Sequence, residues 1–421
     1  MKTVDMKKTA NRYTEITQDR ISNSLNLIPV LNLGTQVLTG VFPKSSSEEI
    51  TAGPLELVWC PDSGLLQLKH SYSSEEMYGE NYGYRSGLNQ SMVNHLVSKV
   101  RYLERLVKLN PEDVVLDIGS NDSTLLNAYS TPGIVRVGMD PTGEKFREYY
   151  HENTLLVPDF FSAEGYKLVS QKKPKVITSI AMFYDLESPV DFARQIEEIL
   201  SDEGIWHFEQ SYMPAMLRMT SYDTICHEHL EYYSLEAVNK ILDEANLKII
   251  DVAMNGINGG SFAVTAVKKD NKLHKPNNAL INWLLGQEGR MGLNTPLPYR
   301  AFEERVFRHK DDLVRLIKAL NDDGKVVLGY GASTKGNVVL QFCGFTSKDI
   351  PAIADVNPEK FGKYTPGSNI PIISEEDAKK MNPDYFLVLP WHFKDGILSR
   401  EANYLKNGGK FIFPFPEIEI I

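Results

Sequence analysis

The chain has 421 residues, 42% of them hydrophobic and 24% charged, a balance that excludes disordered, collagenous and coiled-coil classes. Forty-five basic against 55 acidic side chains give a formal net charge of −10, which argues against nucleic acid held on a basic face. Three scattered cysteines (Cys60, Cys226, Cys343) form no disulfide framework, no apolar run reaches the ~18 residues of a membrane helix, and Met1 to Asp5 lacks a signal-peptide core, so the expectation is a cytoplasmic protein with neither a nucleic-acid nor a membrane partner.

From the N-terminus to about residue 75, short apolar stretches (Leu25 to Leu33, Leu55 to Trp59, Leu65 to Leu68) alternate with polar turns and predict short strands. Met92, Leu96, Val100, Leu103 and Val107 recur at helical spacing, which predicts an amphipathic helix over Gln90 to Leu109. Four apolar runs follow, at Val114–Ile118, Ile134–Asp140, Val176–Ile180 and Gly204–Glu209, with helical patterns between them, the clearest over Val190 to Leu200. Strands alternating with helices mean βαβ units and a parallel sheet, which Leu247 to Val252 and Ser261 to Val267 would complete. Residues 270–298 read as polar turns, Tyr299 to Leu320 as a charged helix. A second βαβ pattern runs through Val326–Gly331, Ile350–Ala354, Tyr385–Leu389 and Lys410–Phe413. The expected organisation is α/β throughout: a small N-terminal module (1–88), a central α/β domain (89–270) and a smaller C-terminal α/β domain (271–421).

Asp117-Ile118-Gly119-Ser120-Asn121-Asp122 sits where the first central strand turns into a helix, and Asp140 ends the next strand 23 residues after Asp117. A strand-tip acid, a glycine turn and helix N-terminal amides suit a nucleoside, with the second acid on ribose hydroxyls. NAD is the alternative, although the second and third glycines of that fingerprint are missing; a plain capped turn is the other. The stretch Tyr222-Asp223-Thr224-Ile225-Cys226-His227-Glu228-His229 offers general acid–base chemistry. Histidines two apart do not share a helix face, so a zinc-protease arrangement is absent; a buried polar turn is the bland alternative. The Gly329-Tyr330-Gly331 loop, with Lys335 after it and Asp355 24 residues past Gly331, could cradle a diphosphate, seat a dinucleotide or simply pack.

Taken together, Asp117 to Asp122, Asp140-Pro141, His227-Glu228-His229-Leu230, Asn258-Gly259-Gly260-Ser261, Gly329 to Asn337, Tyr364-Thr365-Pro366-Gly367 and Trp391 resemble the S-adenosylmethionine-dependent C-methyltransferases that act on nucleotide-linked 4-keto-deoxysugars, typically at C3. The resemblance implies a Rossmann-like class I methyltransferase domain at the centre and a sugar-nucleotide-binding C-terminal domain. It implies S-adenosyl-L-methionine on Asp117, Gly119, Ser120, Asn121, Asp122 and Asp140. It implies His229 as the base that makes an enolate to attack the methyl group, Glu228 orienting it, and Tyr82 and Tyr84 as hydrogen-bond donors. His227, Tyr222, Gly259, Gly260, Tyr330, Gly331, Lys335 and Asp355 would contact a nucleotide-sugar substrate, and the protein would be a monomer or weak homodimer. Two departures stand out. The family's N-terminal zinc module carries two Cys-x-x-Cys pairs, whereas here only Cys60 remains, so no metal is expected; and Ser123 stands where the cofactor loop usually has glycine. A nicotinamide-dependent oxidoreductase using the C-terminal loop, and a non-catalytic cofactor-binding remnant, are the competing functions.

Overall fold

The computed structural model describes residues 13–73, 77 and 84–421. Near the N-terminus, β1 (Tyr13–Glu15) pairs antiparallel with β5 (His70–Tyr72), while β2 (Ile28–Val37), β3 (Ala52–Trp59) and β4 (Leu66–Leu68) form an antiparallel sheet. That sheet gains a fourth strand, β11 (Glu231–Tyr232), from far along the chain, with Glu231 opposite Gln67 and Tyr232 opposite Leu66.

The Gln90–Leu106 helix leads into the central sheet. Its strands are β6 (Val114–Ile118), β7 (Val135–Met139), β8 (Thr154–Val157), β9 (Val176–Ile180), β10 (Ile205–Ser211), β12 (Leu247–Asn255) and β13 (Ser261–Lys268), ordered β12-β13-β10-β9-β6-β7-β8. All pairs from β8 to β10 are parallel and β13 runs antiparallel to both neighbours. Covered on both faces, β6 and β9 can be apolar runs, as the sequence has them. The chain crosses over on both sides of β6, so a crevice opens beyond the carboxyl end of that strand, where doubly wound sheets bind ligands. The Pro189–Ile199 helix starts with proline at its first turn and packs Phe192, Ala193 and Ile196 onto the sheet.

The C-terminal sheet comprises β14 (Val327–Tyr330), β15 (Ile353–Asp355), β16 (Ile372–Ser374), β17 (Tyr385–Val388), β18 (Lys410–Phe413) and β19 (Glu419–Ile420), in the order β16-β15-β14-β17-β18-β19. It is parallel except for β19, and again switches direction at its first strand.

Residues 270–298, read as turns, contain a helix, Asn278–Met291, capped by the Asn277 side chain and ended by left-handed Gly292. Its buried face is narrow, Ile281, Leu284 and Glu288, and one of the three is charged, which hides the periodicity. Glu288 is buried because it accepts from the Tyr212 hydroxyl (2.7 Å) and the Leu235 amide (2.6 Å).

Candidate active site

A cavity of about 460 Å³ opens at the carboxyl end of β6 and is lined by all three parts of the chain: Tyr84, the loops after β6, β7, β9 and β10, His229 and Glu228, Asn258, and Thr334 with Lys335.

On one side lie the two strand-tip acids. Asp140 is buried; its Oδ2 accepts from the Asn121 amide (2.8 Å) and its Oδ1 from the Thr142 amide and hydroxyl (2.6 Å each). Asp117 accepts from the Thr178 hydroxyl (2.6 Å), and burial raises its carboxyl to about 7, helped by the Asp140 charge and opposed by the Thr178 bond. Gly119 has φ +73, and a Cβ there would come within 3.2 Å of Met182. Opposite the acids, Phe160, Phe161, Met182 and Leu186 supply apolar wall. Carboxylates for ribose hydroxyls, an open glycine turn and an apolar slot for a purine fit S-adenosylmethionine. Asn121 and Asp122 do a second job. Asn121 accepts from the Ser86 amide (2.9 Å) and Asp122 from the Gly87 amide (2.8 Å), clamping the 84–88 segment over the loop. Asp122 and Ser123 are not part of the cavity wall; Ser123 holds the left-handed φ of +64 that explains glycine as the usual occupant.

Facing them is the His-Glu-His segment. It is held from both ends: the Leu230 amide donates to the Tyr184 carbonyl (2.8 Å), and β11 joins the N-terminal sheet directly after it. His229 Nδ1 donates to the Thr224 carbonyl at 2.9 Å, which fixes the proton on Nδ1 and leaves the lone pair on Nε2. The ring packs against Tyr184 at 4.3 Å between centroids. Burial, with the Lys335 charge adding to it, lowers His229 to about 4, so the imidazole is neutral at pH 7. Burial also raises Glu228 to about 7. The orienting group of His229 is therefore the Thr224 carbonyl, where Glu228 was expected, and the group poised near neutrality is the glutamate. Gly40, unremarkable in sequence, abuts Glu228: a Cβ there would collide with Oε1.

The remaining expected residues divide. Lys335 reaches the cavity, its Nζ donating to the Asn258 carbonyl (3.0 Å). Gly259 (φ +87) and Gly260 (φ +124) shape the adjoining turn, Gly259 lying close under Trp391. His227 is buried away from the cavity, edge-on to Tyr72 at 4.7 Å. Tyr222 is buried against His309 (3.2 Å from its Nδ1). Tyr330 is buried and bonds Glu401 (3.0 Å); Gly331 packs under Pro390. Asp355 accepts from the Ala332 amide (2.7 Å). The Gly336 amide donates to Ser333 Oγ (3.0 Å), and of this loop and the helix after it Thr334 and Lys335 line the cavity. Tyr82 lies outside the described residues; Tyr84, 49% exposed, stands at the cavity edge.

One group was missed. Glu209, in the carboxyl half of β10, lines the cavity and binds His95 Nε2 (2.6 Å), Lys99 and Asn255 Nδ2 (2.6 Å). Burial alone would raise it, but the His95 bond and the Lys99 charge hold it near 2. The signal was present, since three central apolar runs carry an acid at or near the carboxyl end, Asp117, Asp140 and Glu209.

This fold and site define a class I methyltransferase. Sequence-family models agree along the chain: a zinc binding domain over residues 20–78, a methyltransferase domain over 93–252 and a C-methyltransferase C-terminal domain over 256–416. Together with the relative below, these matches support an S-adenosylmethionine-dependent C-methyltransferase. It is 28% identical over 410 residues to the C-methyltransferase NovU of Streptomyces niveus, covering 96% of this chain and 97% of that one. Among solved structures, magnesium protoporphyrin IX methyltransferase of Synechocystis PCC 6803 with bound SAH is 14% identical (43% of this chain, 88% of that chain, TM-score 0.33). Precorrin-6y C5,15-methyltransferase of Geobacter metallireducens GS-15 is 17% identical (43% and 89%, TM-score 0.29). No helix among the described residues is long and apolar enough to cross a membrane.

Proposed function

We propose that the enzyme methylates C3 of a nucleotide-linked 4-keto-deoxysugar, with His229 as the base. The carrying observation is a histidine whose Nδ1 proton is tied to Thr224, so that a bare Nε2 shares one cavity with the cofactor carboxylates. S-adenosylmethionine, when bound, supplies an electrophilic methyl group. The chain's residues make the carbon nucleophilic: Nε2 takes the C3 proton, which the 4-keto group acidifies, and charge gathers on the 4-oxygen. Lys335 brings a cation to the same wall, where developing negative charge is stabilised in advance. Asp140 and Asp117 hold the cofactor's ribose end and position it. A second reading sends the proton to Glu228, favoured by its rise to about 7.

The test is mass spectrometry of nucleotide-sugar pools incubated with the enzyme and labelled S-adenosylmethionine, followed by exchange of the substrate's C3 hydrogen in deuterated water without methyl donor. His229→Asn is expected to keep cofactor affinity, lose exchange and turn over about 10² to 10⁴ more slowly. Exchange that survives in His229→Asn and disappears in Glu228→Gln would move the base to the glutamate.

A further inference from the structure

Two turns at the edge of the N-terminal sheet face each other. Asp19-Arg20-Ile21-Ser22-Asn23 closes with the Asn23 amide donating to the Asp19 carbonyl (3.0 Å). Cys60-Pro61-Asp62-Ser63-Gly64 closes in the same way, the Gly64 amide donating to the Cys60 carbonyl (2.8 Å). The fifth residue of each is left-handed, Asn23 at φ +57 and Gly64 at φ +79. The first and fourth side chains of both turns then meet. Ser22 Oγ donates to Asp19 Oδ2 (2.6 Å), Ser63 Oγ donates to Asp19 Oδ1 (3.0 Å), and Cys60 Sγ lies 3.8 Å from Ser22 Oγ.

Paired ligands at positions one and four of two facing turns are the Cys-x-x-Cys spacing of tetrahedral zinc sites, and the matched zinc binding domain covers this region. The donor set does not fit zinc. It holds one thiol, two neutral hydroxyls and one carboxylate whose oxygens are already taken. Asp19 Oδ2 also accepts from the Ser22 amide (2.7 Å) and the Ile21 amide (3.2 Å), and Oδ1 from Gln67 Nε2 (2.7 Å). Asp19 and Cys60 are fully buried, Ser63 nearly so. Among the described residues no group of three or more His, Cys, Asp or Glu is placed to hold a metal ion.

We infer that this cluster is a four-sulfur metal site converted into a hydrogen-bonded knot, in which the Asp19 carboxylate ties the two turns together as an ion would. The backbone of the site is retained, so sulfur at the other three positions rebuilds it beside the native Cys60. The module's stability is independent of metal and indifferent to chelators, in contrast to zinc modules that lose their fold with their ion.

The experiment uses the full-length, untagged protein. Wild type is analysed for metal as purified, without prior chelation, and then melted with and without EDTA. The triple variant Asp19→Cys/Ser22→Cys/Ser63→Cys is titrated with Co²⁺ under reducing conditions, and Ser63→Cys alone is the two-thiol control. Expected are wild type without stoichiometric metal and with one melting curve in both buffers, and a triple variant that takes up one equivalent of Co²⁺. That variant should show thiolate charge-transfer and tetrahedral visible bands absent from the control, lose them to Zn²⁺, and melt in a metal-dependent way. Stoichiometric zinc in wild type overturns the inference. So does a triple variant without the tetrahedral spectrum, whether it folds without the ion or stays unfolded with zinc present.

Discussion

Asp140 is the residue on which cofactor affinity should depend most visibly. It is buried, faces the cavity and already organises two turns, through Asn121 and Thr142. Hydrogen bonds to a charged carboxylate are worth about 1.5–3 kcal/mol each, so Asp140→Ala is expected to weaken S-adenosylmethionine binding by roughly 1–3 kcal/mol in calorimetry, and unchanged affinity would remove Asp140 from the ribose. Glu228 offers a steric counterpart. Gly40→Ala places a methyl group where Oε1 of Glu228 lies, so the carboxyl must turn away. Turnover should fall by about tenfold, the cost of a misplaced group beside the reacting atoms, while the calorimetric cofactor affinity holds. Equal loss in both would mean that Gly40 serves the fold alone.

At the scale of elements, the carboxyl half of β10 is where three pieces are fastened. Glu209 joins the Gln90–Leu106 helix through His95 and Lys99, and β12 through Asn255. Its carboxyl is near 2 in the folded protein against an ordinary 4.5, so the folded state binds fewer protons than the unfolded between those values. The sign follows: the stabilisation is complete above about pH 4.5 and is lost as pH falls towards 2, roughly 3 kcal/mol in all. Glu209→Gln should be less stable at pH 7 and show a flatter acid limb in urea melts across that window. Such buried strands were legible because residues covered on both faces read as apolar runs. Edge strands β8, β16 and β19 were not, being two to four residues long with exposed or half-buried positions. The acids of β6 and β7 were read from their strand tips, whereas Glu209 was passed over, because its helix partners carry no sequence mark of their destination. Nor could the His-Glu-His segment be aimed from sequence alone. Its direction comes from the pairing of β11 with β4, and this also turned His227 inward to Tyr72.

The whole molecule builds its cavity across module borders: the Thr334–Cys343 helix brings Lys335 to the wall that His229 shares. Gln341 Oε1 accepts from the Val37 amide (2.8 Å) and its Nε2 donates to the Val37 carbonyl (3.1 Å), Asn337 Nδ2 donates to the Thr39 carbonyl (2.8 Å), and Trp391 Nε1 donates to Asp223 (2.8 Å). The Gln341 and Asn337 contacts fix the helix that begins at Thr334, and with it Lys335, in the cavity wall that His229 shares. A cation there opposes the imidazolium, adding to burial in lowering His229 to about 4. Removing the charge in Lys335→Met should therefore raise the His229 titration from about 4 towards the ordinary 6.5, read as ring C–H shifts in NMR of the folded variant. If the same charge also faces the substrate's developing oxyanion, kcat should drop by about 10² to 10³, with a smaller change in cofactor affinity. A titration that stays in place would show that Lys335 and His229 are electrostatically separate. A rise confined to KM, with kcat unchanged, would assign the lysine to ground-state binding of the substrate.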